Sequence, residues 1–130
     1  MNAEPAFSPP CGPVTGWRDA DVVRATGIPY ATAGRFQPPA AAPDRTAVLA
    51  ATSLSPACPQ GPVPFLDDIL GTRYGELPGS EDCLRLSITM PAGLTADDRV
   101  PVMVWLHGGS YTSGSGDLAI FDPKALVAEN

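Results

Sequence analysis

The sequence predicts an α/β domain whose recognisable strands lie at one edge of a larger sheet. Residues 100–106 form an apolar run rich in β-branched side chains, which is typical of a strand buried on both faces in a parallel sheet. Residues 84–90 alternate between apolar and polar side chains, as a strand with one apolar face does. Asp122 is a capping residue type and Pro123 suits a first helical position. Two strands followed by a helix therefore indicate the α/β class.

The segments before these strands are predicted to be less regular. Residues 1–13 are rich in proline and small residues, and we expect a disordered lead-in there. Residues 14–31 contain short strand-like apolar pieces, and residues 47–53 are compatible with a short helix. Residues 58–83 hold several prolines and glycines. Regular structure between the two cysteines that bound this segment is expected to be limited to a turn near residues 65–70.

Charge and hydropathy exclude two classes of partner. The chain of 130 residues has a formal net charge of -6 and only 8 Lys and Arg, which are scattered, so we expect no nucleic acid partner. The longest apolar run is shorter than the roughly 18 residues that a membrane span needs, so we expect no membrane partner. The first residues have neither a basic start nor an apolar core, and no signal peptide is visible. These features predict a cytoplasmic location.

The apolar run of residues 102–106 ends abruptly in His107, Gly108 and Gly109. Two glycines let the backbone turn sharply and bring its N–H groups close to a ligand, because no Cβ atom stands in the way. From these residues alone, a plain turn between a strand and a loop is the alternative interpretation.

Five motifs occur in a fixed order along the chain. They are Gly-Ile-Pro-Tyr-Ala at 27–31, Arg-Phe-Gln-Pro-Pro at 35–39, Cys-Pro-Gln at 58–60, Ser-Glu-Asp-Cys-Leu at 80–84 and Pro-Val-Met-Val-Trp-Leu-His-Gly-Gly at 101–109. Together they resemble the N-terminal quarter of a type-B carboxylesterase, the family that also contains the cholinesterases. A lipase branch related to hormone-sensitive lipase also uses His-Gly-Gly, but it does not explain the other motifs.

The resemblance implies an α/β-hydrolase fold with an incomplete sheet. Residues 14–130 would be the N-terminal segment of that domain, because type-B carboxylesterases are several times longer than this chain. The implied activity is hydrolysis of carboxylic esters by a serine esterase, without a cofactor. Because the layers that should cover residues 100–106 are missing, we expect the isolated chain to be marginally stable or aggregation-prone.

Most of the catalytic groups of a serine hydrolase are absent from the sequence. The nucleophile of this fold stands in a Gly-x-Ser-x-Gly elbow, and no serine here has glycine at both required positions; residues 113–116 miss the spacing and are expected to be a flexible turn. His107 is not expected to be the catalytic base, because the triad histidine of this fold comes last in chain order. The fragment alone is therefore predicted to be inactive. No metal site is expected, since His107 is the only histidine and the cysteines are widely spaced.

The resemblance assigns an oxyanion hole to the glycine motif. Its donors would be the backbone N–H groups of Gly109 and Ser110, in a loop that His107 and Gly108 help to shape. The family usually has glycine or alanine where Ser110 stands, so the serine is a departure. Tyr111 would either line the acyl pocket or pack the loop.

Two side-chain pairs also follow from the resemblance. Cys58 and Cys83 would close a disulfide worth about 3 kcal/mol, with two buried thiols as the alternative, and Cys11 would be a free thiol in the mobile tail. Arg35 and Glu81 would form a buried ion pair, for which the alternative is two solvated surface charges.

The sequence also favours one class of substrate and leaves one competing function open. Cholinesterases carry a tryptophan between the two cysteines, but this chain has only Phe65 and Tyr74 as aromatic residues there. A small neutral carboxylic ester is therefore the expected substrate. Arg85 also departs from the family pattern, and we expect it on the outward face of its strand. The competing interpretation is a catalytically inactive, cholinesterase-like interaction module, for which Ser110 is an indication.

Overall fold

A computed structural model describes residues 4–71 and 77–129, without the side chains of Leu66 and Leu70. These residues form short strands, a 3-10 turn and two short α helices. In chain order they are β1 Ala6–Phe7, β2 Val14–Thr15, β3 Trp17–Asp19, β4 Val22–Pro29, β5 Ala31–Thr32, β6 Ala40–Ala41, β7 Leu49–Ala50, α1 Pro64–Leu70, β8 Arg85–Pro91, the 3-10 turn Ala119–Phe121 and α2 Lys124–Ala128.

The largest sheet has the strand order β3-β4-β8, with both pairings antiparallel. Its central strand β4 is buried along most of its length because it has a neighbour on each side. The register of β4 against β8 shifts between Ala25 and Ile28, which marks a bulge. Gly27 lies in this bulge with φ +73°, and a Cβ atom there would stand 2.7 Å from the Ser53 carbonyl oxygen. A glycine is therefore required for the bulge to pack against the segment at Ser53.

A second sheet has the strand order β1-β2-β7, and a parallel bridge between Thr26 and Thr52 connects its β7 end to β4. The core cluster between them consists of Val14, Ala25, Ile28 and Ala51, with Leu49 packed against it. These apolar side chains pack together away from water, which is the main source of stability in so small a core.

Two expectations about the N-terminal half are corrected by this sheet. Residues 47–53 do not form a helix, because the N–H group of Leu49 donates to the Pro13 carbonyl at 2.9 Å and β7 pairs in parallel with β2. The predicted lead-in of residues 1–13 contains β1, which pairs with β2 in antiparallel fashion. Edge pairing with an existing strand satisfies the backbone groups of both segments, and composition does not reveal such pairing.

A cluster of charges attaches α2 to the first sheet. The Arg24 guanidinium donates to Asp19 at 2.8 Å and to Asp122 at 2.8 and 2.9 Å, and it stacks over the Trp17 ring. Asp122 also accepts the backbone N–H of Lys124 at 2.9 Å, but Pro123 and not Asp122 occupies the N-cap position of α2. The hydrogen bond that Lys124 donates to the Asp19 carboxylate holds the pKa of Asp19 below its usual value.

The predicted strand at residues 100–106 is wrong for this chain: no residue of that segment pairs with any strand in the described part of the molecule. Val102 and Leu106 are 85% and 84% exposed. The Trp105 ring keeps one aromatic neighbour, Phe121, with ring centroids 5.6 Å apart. A strand forms only when neighbouring strands satisfy its backbone, and an apolar run needs a layer on each face. Neither is supplied here by residues 4–71 and 77–129.

The other predicted elements fall close to their expected places. The strand expected at 84–90 is β8, Arg85–Pro91. The turn expected near 65–70 is the helix α1, Pro64–Leu70. Phe65 is exposed on that helix, and Tyr74 lies outside the described residues.

Candidate active site

The glycine motif ends in a tight turn with an unusual backbone. Gly109 has φ +129°, and the two residues after it, Ser110 and Tyr111, have φ 54° and 60°. Non-glycine residues seldom adopt positive φ, and two in succession store strain of the kind found at ligand-binding turns. The turn is closed by the Gly109 carbonyl, which accepts the N–H groups of Thr112 at 2.9 Å and of Ser113 at 3.1 Å.

Position 109 accepts only glycine. A Cβ atom there would stand 1.8 Å from the Ser113 carbonyl oxygen, which is far inside the contact distance of the two atoms. The side chain is excluded by backbone, which cannot swing away as a flexible side chain would. The second glycine of the motif is therefore a condition for the turn to close.

Backbone N–H groups on this turn are available to a ligand. In the described part of the chain, the N–H groups of Gly109, Ser110 and Tyr111 donate to no protein acceptor. Adjacent backbone N–H groups on a positive-φ turn form a concave site that attracts anionic oxygen. Ser110 and Tyr111 are exposed, and the Tyr111 ring packs against no wall of a pocket here.

His107 lies against the loop and does not face a nucleophile. Its Nδ1 atom is 2.8 Å from the Gly108 carbonyl oxygen. Because a carbonyl can only accept, Nδ1 carries the proton of this hydrogen bond. The ring also contacts the backbone at Gly114, where a Cβ atom would stand 2.7 Å from Nδ1. The His107 ring therefore contacts the loop backbone, and its structural role stays a prediction.

Two residues of the site are not identified by the sequence motifs. The first is Gln60, whose Oε1 accepts the Gly114 N–H at 2.7 Å and whose Nε2 donates to the Gly114 carbonyl at 2.9 Å. The Cys-Pro-Gln motif contains this residue, but nothing in the sequence indicates that its side chain reaches a loop 54 residues further on.

The second is Asp117, which follows the glycine loop. Its Oδ2 atom accepts the Ser55 N–H at 2.6 Å and the Ser87 hydroxyl at 2.9 Å. Ser87 stands on β8, so Asp117 attaches the end of the loop to the first sheet. Ser115, between the loop and this anchor, is buried. The loop is thus held at residues 114 and 117 while the turn at Gly109 stays exposed towards solvent.

The structure brings both cysteines of the predicted pair together. Cys58 and Cys83 are bonded, with Cα atoms 5.2 Å apart. Cys11 is unpaired, but it is half-buried and not in a mobile tail. The N–H of Arg45 donates to the Cys11 carbonyl at 2.9 Å, and the Arg45 guanidinium reaches its sulfur at 3.7 Å.

The predicted ion pair forms, but it is not buried. Arg35 Nε donates to Glu81 Oε1 at 2.8 Å, while the side chains are 67% and 52% exposed. No described segment covers the pair, so water screens it. An exposed pair of this kind contributes about 0–1 kcal/mol, compared with the roughly 3–5 kcal/mol lost when one partner of a buried pair is removed.

Arg85 also differs from the expectation that it projects outward. Its Nη1 atom donates to the Gly27 carbonyl at 2.7 Å, and its other nitrogens bind Asp82. The bulge at Gly27 frees a carbonyl from the strand ladder, and the guanidinium satisfies it. Arg85 is therefore part of the junction between β4 and the cysteine-bounded loop.

Residues 4–71 and 77–129 contain neither a metal-binding cluster nor a membrane-spanning helix. No three or more His, Cys, Asp or Glu side chains there lie close enough together to hold a metal ion. No helix of this part of the chain has the length and apolar character needed to cross a membrane.

The fold is similar to that of solved structures. A solved PNB esterase superimposes with a TM-score of 0.80 and 35% identity, over 98% of this chain and 26% of that chain. This neighbour is an α/β-hydrolase, and the present chain has an incomplete form of that fold. The predicted fold class is confirmed.

Sequence comparisons give the family. The model of the carboxylesterase family matches residues 4–130. Carboxylesterase 1E of Mus musculus is 45% identical over 96 residues, which cover 68% of this chain and 17% of that protein. Para-nitrobenzyl esterase of Bacillus subtilis (strain 168) is 37% identical over 123 residues, which cover 91% of this chain and 24% of that protein. Neuroligin-2 of Homo sapiens is 37% identical over 140 residues, which cover 82% of this chain and 16% of that protein.

The chain belongs to the carboxylesterase family, as the five ordered motifs predicted. It spans between about a sixth and a quarter of the length of these relatives. The family match begins at residue 4, within the segment predicted to be a lead-in before residue 14.

Proposed function

We propose that this chain supplies the oxyanion-hole loop of a serine carboxylesterase that hydrolyses small neutral esters. The observation that carries the proposal is the turn at Gly109 and Ser110, where two adjacent N–H groups donate to no acceptor in the described residues. Membership of the carboxylesterase family supports the same function.

The chemistry follows from where charge develops during ester hydrolysis. Attack of a serine hydroxyl on the ester carbonyl places a negative charge on the carbonyl oxygen, and preorganised N–H groups stabilise that charge more than they stabilise the neutral substrate. The two donors here would be Gly109 and Ser110. Loss of one such donor costs about 100- to 1,000-fold in rate. The Ser110 hydroxyl adds bulk and polarity beside the site, but its backbone N–H still donates.

The remaining catalytic groups would come from outside this sequence. No Gly-x-Ser-x-Gly elbow is present, and His107 is committed to the Gly108 carbonyl. The chain by itself is therefore expected to have no esterase activity. The absence of tryptophan between Cys58 and Cys83 supports neutral esters over choline esters, since an aromatic face is what attracts a quaternary ammonium.

The test is a chimera in which residues 4–130 replace the matching segment of the Bacillus subtilis para-nitrobenzyl esterase. The chimera should hydrolyse p-nitrophenyl butyrate, and a serine-directed fluorophosphonate should abolish the activity. The isolated chain should show neither turnover nor labelling. A folded chimera without turnover would contradict the proposal, and turnover by the isolated chain would reveal a nucleophile within these residues.

A second candidate function is a catalytically inactive interaction module with a protein partner. The match to Neuroligin-2 and the serine at position 110 favour it. The same chimera separates the two candidates when Ser110→Gly is added as a matched variant. Activity that appears only in Ser110→Gly would support the inactive module, whereas activity in both forms supports the esterase.

A further inference from the structure

The contact between Gln60 and Gly114 is directional. The amide of Gln60 meets both polar atoms of one peptide residue, because Oε1 accepts the Gly114 N–H at 2.7 Å and Nε2 donates to the Gly114 carbonyl at 2.9 Å. Only one orientation of the amide satisfies both bonds, since an N–H can only donate and a carbonyl can only accept. Gly114 is buried, so its two polar atoms depend on this side chain.

Gly114 in turn lies under the glycine motif. A Cβ atom on it would stand 2.5 Å from the Gly108 carbonyl oxygen and 2.7 Å from His107 Nδ1. That same carbonyl accepts the hydrogen bond from His107. The backbone at Gly114 therefore sets how far the Gly108 carbonyl can move, and the peptide unit that carries this carbonyl also carries the N–H of Gly109.

The opposite end of the contact is fixed. Gln60 Nε2 also donates to the Cys58 carbonyl at 3.1 Å, and Cys58 is bonded to Cys83. Gln60 thus connects a covalently anchored point to the backbone beneath the turn. Its backbone belongs to the disulfide-bounded loop, while the end of its side chain binds the glycine loop.

We propose that Gln60 is a positioning residue that fixes the direction of the Gly109 and Ser110 N–H groups through Gly114. This inference rests on the proposed esterase function of the same loop. Glutamine is required because the contact needs a donor and an acceptor at the end of one side chain. Glutamate has the same shape but no donor when ionised, and its carboxylate would oppose the Gly114 carbonyl.

The activity test uses the chimera with Gln60→Glu and Gln60→Met, and with Gln37→Glu as the matched control. Gln37 is exposed, so it provides the same chemical change away from the loop. We expect kcat to fall by about 10- to 100-fold in both Gln60 variants, because a small misplacement of a catalytic donor costs about that much. KM should change little, since the donors act mainly in the transition state. Gln37→Glu should match the unmodified chimera.

An activity-independent measurement separates failure of this inference from failure of the proposed function. In isotope-labelled chimera, the amide NMR signals of Gly109, Ser110 and Gly114 should shift in Gln60→Glu and stay in place in Gln37→Glu. If the unmodified chimera is inactive but these signals shift, the function is wrong and the positioning role stands. If the signals stay in place, or if kcat is unchanged in an active Gln60→Met variant, the inference is overturned.

Discussion

Two apolar segments of this chain differ in burial and in strand pairing. Strand β4 has a neighbour on each side and is buried along most of its length. Residues 100–106 are at least as apolar, yet they pair with no strand in the described chain and are exposed throughout. The difference shows that an apolar run becomes a strand only where other segments satisfy its backbone and cover its faces. The first segment belongs to the buried core of the chain, and the second leads directly into the glycine motif of the candidate site.

The largest expected effect comes from exchanging an apolar residue for a charge in each segment. Val22→Asp places a carboxylate at a fully buried position, so it should cost at least about 4 kcal/mol and abolish the sheet. The matched change Val104→Asp, at an exposed position, should alter the free energy of unfolding of the isolated chain by less than about 0.5 kcal/mol. Urea unfolding followed by circular dichroism measures both.

In the chimera this contrast should disappear. There the missing strands and helices cover residues 100–106, and Val104→Asp should become severely destabilising as well. Equal tolerance of Val104→Asp in the chain and in the chimera would mean that this segment never enters a sheet.

The next largest effect concerns the disulfide between Cys58 and Cys83, which closes the cysteine-bounded loop. Replacing Cys58 and Cys83 by serine should cost about 3 kcal/mol, because the unfolded chain gains the freedom of the opened loop. Thermal unfolding with and without dithiothreitol checks the same bond in the unmodified chain. Cys11→Ser is the matched control and should leave the melting temperature sensitive to the reductant. If dithiothreitol does not change the melting temperature of the unmodified chain, the disulfide contributes nothing to its stability.

A smaller loss should follow Gly27→Ala in the bulge of β4. The methyl group would stand 2.7 Å from the Ser53 carbonyl and impose positive φ on alanine, so we expect a cost of about 2 kcal/mol. Gly93→Ala is the matched control, because a Cβ atom there meets nothing within 4 Å. Chemical denaturation compares the two variants. An equal loss of unfolding free energy in the two variants would mean that the bulge does not need glycine.

The smallest effect is a pH dependence at the charge cluster. The hydrogen bond from Lys124 lowers the pKa of Asp19, so this interaction is fully present above the unfolded-state pKa of about 3.9. It is lost as the pH falls through the lower pKa of the folded state. Lys124→Met should therefore weaken the acid-range slope of stability against pH. Unfolding curves between pH 2 and 6 measure this slope. An identical slope in the variant would show that Lys124 does not contribute to the pH dependence of stability.

Local sequence patterns predicted part of the site and part of the fold. The ordered motifs identified the family, and the glycines at 108 and 109 identified the turn. Both kinds of pattern are visible in short stretches of the sequence. The contacts of Gln60 and Arg85 were not predictable, since each satisfies a backbone carbonyl that a distant turn or bulge leaves free. Strand β7 was not predictable from residues 47–53, which are compatible with a short helix, because its pairing partner is remote in sequence.

The exposure of the Arg35 and Glu81 pair and of residues 100–106 has another cause. Burial depends on what else surrounds a side chain, and the relatives are about four to six times longer than their matched segments. A local pattern that predicts burial is therefore correct only where the covering layers belong to the same stretch of chain.

The most direct test of the central claim is a crystal structure of the chimera with a trifluoromethyl ketone bound as a transition-state analogue. The N–H groups of Gly109 and Ser110 should both point at the analogue's oxyanion, at about 2.7–3.1 Å. An oxyanion bound by other groups, with these two N–H groups facing solvent, would contradict the assignment of the oxyanion hole to this turn.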